Sequence, residues 1–168
     1  MVEAILTGFM GSGKTTIGKL LARTAHCTHL DLDDLIVKYA KKTINQLFAE
    51  QGEKYFRDLE TELLVKVLEQ PGILSTGGGT IGSVQNRQLL EKNTAPVIYL
   101  KTSLDSVICR LHGDNTRPLF QSYAAFFTLY QRRMYAYEQS ADFTIITDNK
   151  SPARIAEEIQ SLLTFEHA

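Results

Sequence analysis

Two cysteines in 168 residues are too few for a disulfide framework, and neither Cys27 nor Cys109 belongs to a C-x-x-C pair. They read as reduced thiols that pack as small hydrophobes. The four histidines show no ligand spacing. His26 and His29 flank Cys27, but a metal site there lacks a second cluster. Neither charge is in excess: 18 Lys and Arg stand against 19 Asp and Glu, a formal net charge of −1. That balance argues against a general DNA or RNA binder. No apolar run approaches the length of a membrane span. The chain enters a strand-like run at Val2, with no signal peptide ahead of it, so the expected location is the cytoplasm. There is no internal repeat, low-complexity tract or linker, and the expectation is one domain over residues 1–168.

Glycine is placed where it matters. Gly8 to Thr15 read GFMGSGKT, which fits G-x-x-x-x-G-K-[ST], the phosphate-binding loop. The run from Val2 to Thr7 before it is of strand type, and Thr16 to Ala22 continue as a helix. Strand, glycine loop and helix let successive backbone N–H groups converge on one anion at the positive end of a helix. In such a loop Lys14 reaches the β- and γ-phosphates, and the Thr15 hydroxyl ligates Mg²⁺.

Other constellations lie downstream. Asp31-Leu32-Asp33-Asp34 follows a second strand-like step, Leu30 to Leu32. If that segment is extended, side chains alternate and the carboxylates of Asp31 and Asp33 share one side. They could then serve a metal–water shell and a substrate hydroxyl. Gly77-Gly78-Gly79 follows the strand at Ile73–Thr76, where backbone amides can approach a ligand closely. Many phosphate-loop ATPases end such a strand in Asp, which helps hold Mg²⁺. Here it ends in Ser75-Thr76, so either a hydroxyl acts through water or Asp31 supplies the carboxylate. Arg57, on a long helix, has Glu53 and Glu60 as possible ion-pair partners, and Arg132-Arg133 lie on a later helix. Arginine forks suit a planar carboxylate. His112 to Leu119 are polar and breaker-rich, and hold Arg117 directly before Pro118. That composition predicts a lid over transferring phosphates.

Apolar spacing predicts the framework. Ile17, Leu20 and Leu21 give helix 1 one apolar face. Thr43 to Gln46 reads as a capping box that opens a short helix. Phe56, Leu59, Leu63, Val67 and Leu68 follow through a long one, which Pro71-Gly72 ends. Val97–Leu100 and Phe143–Ile146 read as strands. Ser151-Pro152 caps a closing helix. Strands alternating with helices imply an α/β fold with a parallel sheet, helices on both faces and ligands at the carboxyl ends of the strands.

Taken in order, GFMGSGKTTIGKLLA, the DLD step, FRDLE, the triple glycine, NTRPL and an arginine ahead of YEQSAD resemble the shikimate kinase family over nearly the whole chain. The resemblance implies a P-loop NTPase fold of the nucleoside-monophosphate-kinase type, a three-layer α/β/α domain around a five-stranded parallel sheet. It implies a substrate-binding helical region at about 32–62 and a lid at about 112–122. The implied reaction transfers the γ-phosphoryl of ATP to the 3-hydroxyl of shikimate, with Mg²⁺, in a monomer that needs no nucleic acid or membrane partner. Residue by residue, Gly11, Ser12, Gly13, Lys14, Thr15 and Thr16 match the nucleotide loop. Arg110 matches a position stacked near adenine, Arg117 the lid arginine, and Lys150 a basic position near the nucleotide. Thr15 and, through water, Asp31 match the metal positions. Asp33, Arg57, Gly78, Gly79 and Arg133 match the shikimate site, with Asp33 the candidate proton acceptor. The chain departs from the pattern at Tyr135, where the family has proline, and counting back from Tyr137 and Ala141-Asp142 selects Arg133 over Arg132. Kinases for gluconate or a nucleoside monophosphate, and a nucleotide-responsive module without activity, are the competing classes. The arginine pair argues for an acceptor with a carboxylate, and an intact Asp33 and Arg117 argue for catalysis.

Overall fold

The computed structural model describes residues 1–111 and 123–165. Five parallel strands form one sheet in the order β2-β3-β1-β4-β5. They are β1 (Val2–Thr7), β2 (His29–Asp31), β3 (Gly72–Ser75), β4 (Val97–Lys101) and β5 (Phe143–Ile146). The helices between them are α1 (Lys14–Thr24), α2 (Leu32–Ala40), α3 (Ile44–Leu68), α4 (Val84–Lys92), α5 (Leu104–Leu111), α6 (Tyr123–Ser140) and α7 (Pro152–Phe165). A 3₁₀ turn, Thr80–Gly82, links β3 to α4.

The sheet is buried on both faces, which is why its strands read as nearly continuous apolar runs. Alternation sorts their side chains. Ala4, Leu6, Ile73, Ile98 and Leu100 pack against Ile17 and Leu21 of α1 and Ile155 and Ile159 of α7. Ile5, Leu74, Val97 and Tyr99 face the opposite layer, where Leu59, Leu63 and Val67 of α3 meet Phe126 and Tyr137 of α6. The expected three-layer α/β/α fold with a five-stranded parallel sheet is therefore the fold observed.

Two local expectations change. The short and long helices expected after Thr43 run on as one element, α3, bent at Gly52, whose φ of 80° no helix contains. The capping box at Thr43 and Gln46 is formed as predicted. The acidic step is not extended through Asp33. β2 stops at Asp31, whose side chain caps α2 by accepting from the backbone N–H of Asp33 and Asp34 at 3.1 and 3.3 Å. A capping carboxylate and a helical first turn, not strand alternation, set the relation between Asp31 and Asp33.

Candidate active site

The carboxyl ends of β1, β2 and β3 bring the loop, the acids and the triple glycine to one edge of the sheet. The switch point lies between β1 and β3, since the connection leaving β1 runs to β2 on one side and the connection leaving β3 runs to β4 on the other. The loop from Gly8 leads into α1 through Gly13, whose φ of 96° is left-handed. Lys14 Nζ donates to the carbonyls of Gly8 and Phe9 at 2.7 and 3.0 Å, so the ammonium is held against its own loop. Ser12 is 1% exposed, and its hydroxyl is the one buried side-chain polar atom without a hydrogen-bond partner among the described residues. That leaves unused hydrogen-bonding capacity inside the loop.

The Thr15 hydroxyl donates to Asp31 Oδ2 at 2.7 Å. The hydroxyls that end β3 are committed elsewhere. Ser75 Oγ donates to the Lys14 carbonyl at 3.0 Å and shares a 2.9 Å hydrogen bond with His29 Nε2. Thr76 Oγ1 donates to the Leu6 carbonyl. Burial holds the His29 imidazole below its ordinary pKa, which favours the neutral ring. The carboxylate beside Thr15 thus comes from β2, and Ser75 braces the backbone of Lys14. No group of three or more His, Cys, Asp or Glu side chains could hold a metal among the described residues. A hard cation here would depend on Thr15, Asp31, water and ligand oxygens.

Two cavities meet at this edge. One, of about 260 Å³, is lined by Lys14, Thr15, Thr16, Asp31, Asp33 and Arg110, among others. The second, of about 560 Å³, is lined by Asp33, Phe48, Phe56, Arg57, Gly78 and Arg133, among others. Met10, Asp33 and Gly78 line both, so Asp33 is the carboxylate common to the two.

The triple glycine makes room for the charged groups. A Cβ on Gly77 would lie 2.6 Å from Asp33 Oδ1, and one on Gly79 would lie 2.5 Å from Arg57 Nη2. Gly78 lines both cavities, and its carbonyl accepts a hydrogen bond from the Tyr137 hydroxyl behind it. Tyr137 stacks on Tyr99 at 5.0 Å, and burial drives both phenols well above the usual tyrosine pKa. Arg57 Nη1 donates to Glu60 Oε2 at 2.9 Å, and its Nε lies 3.6 Å from Glu53. The Arg133 guanidinium sits 5.6 Å above the Phe9 ring. Burial above all, with the charge of Arg57 adding to it, holds Arg133 below the usual arginine pKa. Two guanidinia lining one cavity have the donor geometry that suits a planar carboxylate.

A family model described as shikimate kinase matches residues 10–164. A shikimate kinase from Limosilactobacillus fermentum is 44% identical over 165 residues, covering 96% of this chain and 95% of that protein. One from Bacillus mycoides is 40% identical over 162 residues, covering 95% of this chain and 97% of that protein.

The chain belongs to the shikimate kinase family.

The solved shikimate kinase of Acinetobacter baumannii, in complex with shikimate, superimposes with a TM-score of 0.90 at 32% identity, covering 98% of this chain and 93% of that one. A gluconokinase from Sinorhizobium meliloti reaches a TM-score of 0.66 at 15% identity, a likeness of fold alone. Within the shikimate kinase family the chain's activity is phosphorylation of shikimate with ATP, a step of the shikimate pathway.

The motif residues do not all converge. Arg110 reaches the loop, where Nη1 donates to the Gly11 carbonyl at 2.8 Å. Lys150 instead pairs with Glu158 of α7 at 2.7 Å and does not line the small cavity. Arg117 lies outside the described residues. Arg133 lines the larger cavity, whereas Arg132 does not. Sequence reasoning paired Glu60 with Arg57 only as a local ion pair and missed its burial. Its signal was a carboxylate four residues after Phe56 and three before Leu63, on the apolar face of α3.

Proposed function

We propose that the chain transfers the γ-phosphoryl of ATP to the 3-hydroxyl of shikimate, with Asp33 as the residue that receives or orients that hydroxyl. The observation that carries this reading is Asp33 itself, the acid shared by the phosphate-side cavity and the arginine-lined cavity. An acceptor whose carboxylate is clamped by Arg57 and Arg133 would present its ring hydroxyls toward Asp33. The aromatic pair Phe48–Phe56, with centroids 4.7 Å apart, supplies an apolar wall for the ring.

Little covalent chemistry is asked of the protein. Phosphoryl transfer is governed by alignment and by charge on the transferring oxygens. Lys14 is held at the loop and would swing from the Gly8 and Phe9 carbonyls to the phosphates. Arg117 is assigned to the same oxygens. The free hydroxyl of Ser12 and the left-handed entry at Gly13 fit an anion in the loop. Thr15 and, through water, Asp31 would hold Mg²⁺, which neutralises charge on the β- and γ-phosphates. Their 2.7 Å contact and the lack of an all-protein ligand cluster among the described residues suit an ion bound mainly to water and phosphate. Every residue named comes from one chain, so a monomer is sufficient.

The test is ADP release measured by a coupled assay across shikimate, gluconate and nucleoside monophosphates. Turnover with shikimate alone is expected. Faster turnover with gluconate or a nucleoside monophosphate would overturn the acceptor assignment.

A further inference from the structure

A third cavity, of about 700 Å³, lies on the far side of the arginine pair. Arg57, Gly79 and Arg133 line it as well as the acceptor cavity, so the two guanidinia form a partition with a chamber on each side. The far chamber adds Arg87 and Arg132, neither of which lines the acceptor cavity. Four arginines there face one carboxylate, that of Glu53. The remaining polar lining includes Ser83, Tyr135 and Gln139, all neutral.

This concentration of positive charge is only partly answered within the protein. Arg57 is paired to Glu60 and approached by Glu53. Arg87 spends one nitrogen on the carbonyls of Ile81 and Gly82, at 2.8 and 3.3 Å. Arg132 is exposed, and its side chain makes no hydrogen bond or ion pair among the described residues. A guanidinium carries five donors in a fixed fork, so Arg57 and Arg133 can meet one anion on each side of the partition.

We propose that this far chamber is a second anion site for a compact, multiply charged oxyanion, and that its occupancy weakens shikimate binding through the shared Arg57 and Arg133. The coupling rests on the reading that those two arginines hold the shikimate carboxylate. Its sign follows from charge. Each anion neutralises the same two guanidinia, so each reduces what the other gains, and the effect is reciprocal. The effect also saturates, because the chambers are distinct.

The probe is 2-phosphoglycolate. The full chain is first saturated with a nonhydrolysable ATP analogue and shikimate, so both reaction sites are filled. The amide signals of Gly82, Ser83 and Gln139 are then followed as probe is added. Saturable shifts are expected, with affinity lowered about tenfold or more in Arg132→Ala, as for loss of one charge-assisted contact. In steady state at saturating ATP, the probe should raise the KM for shikimate to a plateau. Arg132→Ala should move that rise to about tenfold higher probe concentration while leaving the KM without probe unchanged. A KM that climbs without limit would place the probe in the acceptor cavity and overturn the second site. So would an effect reproduced by sodium chloride at matched ionic strength, or one untouched by Arg132→Ala. Amide shifts without any change in KM would overturn the coupling and the shared-arginine reading together. No shifts, with Arg57→Ala and Arg133→Ala still raising KM, would overturn the second site alone.

Discussion

Glu60 accepts a hydrogen bond from Arg57 on one carboxylate oxygen, at 2.9 Å, and from Thr80 on the other, at 2.8 Å. It is 1% exposed, while the Arg57 side chain keeps 27% of its surface. A buried carboxylate thus fixes one edge of a guanidinium whose other edge is open to the cavity. Glu60→Gln keeps the shape and removes the charge. It should raise the KM for shikimate about tenfold or more, as for a charge-assisted bond worth roughly 1.5–3 kcal/mol, with little change in the KM for ATP. Steady-state kinetics beside a thermal melt checks this. Equal rises in both KM values would mean that Glu60 supports the fold alone.

Lys14→Ala should abolish turnover in a folded protein. A lysine on the transferring oxygens acts on charge that develops at the transition state, so about 3–4 kcal/mol, or roughly 10²–10³-fold, is expected by analogy with loss of an oxyanion donor. Circular dichroism establishes folding, and ADP release gives the rate. Near-parental turnover would contradict the placement of Lys14 on the phosphates.

Asp33→Asn should leave ATP binding intact and cut turnover by about 10²–10⁴-fold, the range for loss of a general base. The amide matches the carboxylate in size, so the close approach to Gly77 is preserved. An unchanged rate would confine Asp33 to a structural role. A loss well below that range would favour orientation over proton transfer, as a loose transition state allows.

Arg133→Ala should raise the KM for shikimate far more than that for ATP, and Arg132→Ala should leave both alone. Arg133 lines the acceptor cavity and stands over Phe9, whereas Arg132 faces only the far chamber. Isothermal titration with shikimate reads the difference directly. A silent Arg133→Ala with a damaging Arg132→Ala would shift the helix assignment by one residue.

Much of this was legible in the sequence because local rules and tertiary structure agree. The loop, the capping box at Thr43 and the Ser151-Pro152 helix start each rest on short-range chemistry, and each formed as read. The acidic step misled because Asp31 can end a strand and cap a helix at once, and capping won. Lys150, in the turn before α7, pairs with Glu158, a partner the sequence did not single out. What the triple glycine admits could not be read from the chain. The close approach of Gly77 to Asp33 and of Gly79 to Arg57 brings the loop after β3 against α2 and α3, and only the packed fold sets it.

The most direct test of the central claim is the product. Purified chain is incubated with ATP, Mg²⁺ and shikimate, and the mixture is followed by phosphorus NMR with proton coupling. The prediction is one new phosphate monoester, coupled to the ring proton at carbon 3, growing in step with ADP. Inorganic phosphate without an ester, or an ester at another ring hydroxyl, would contradict the account.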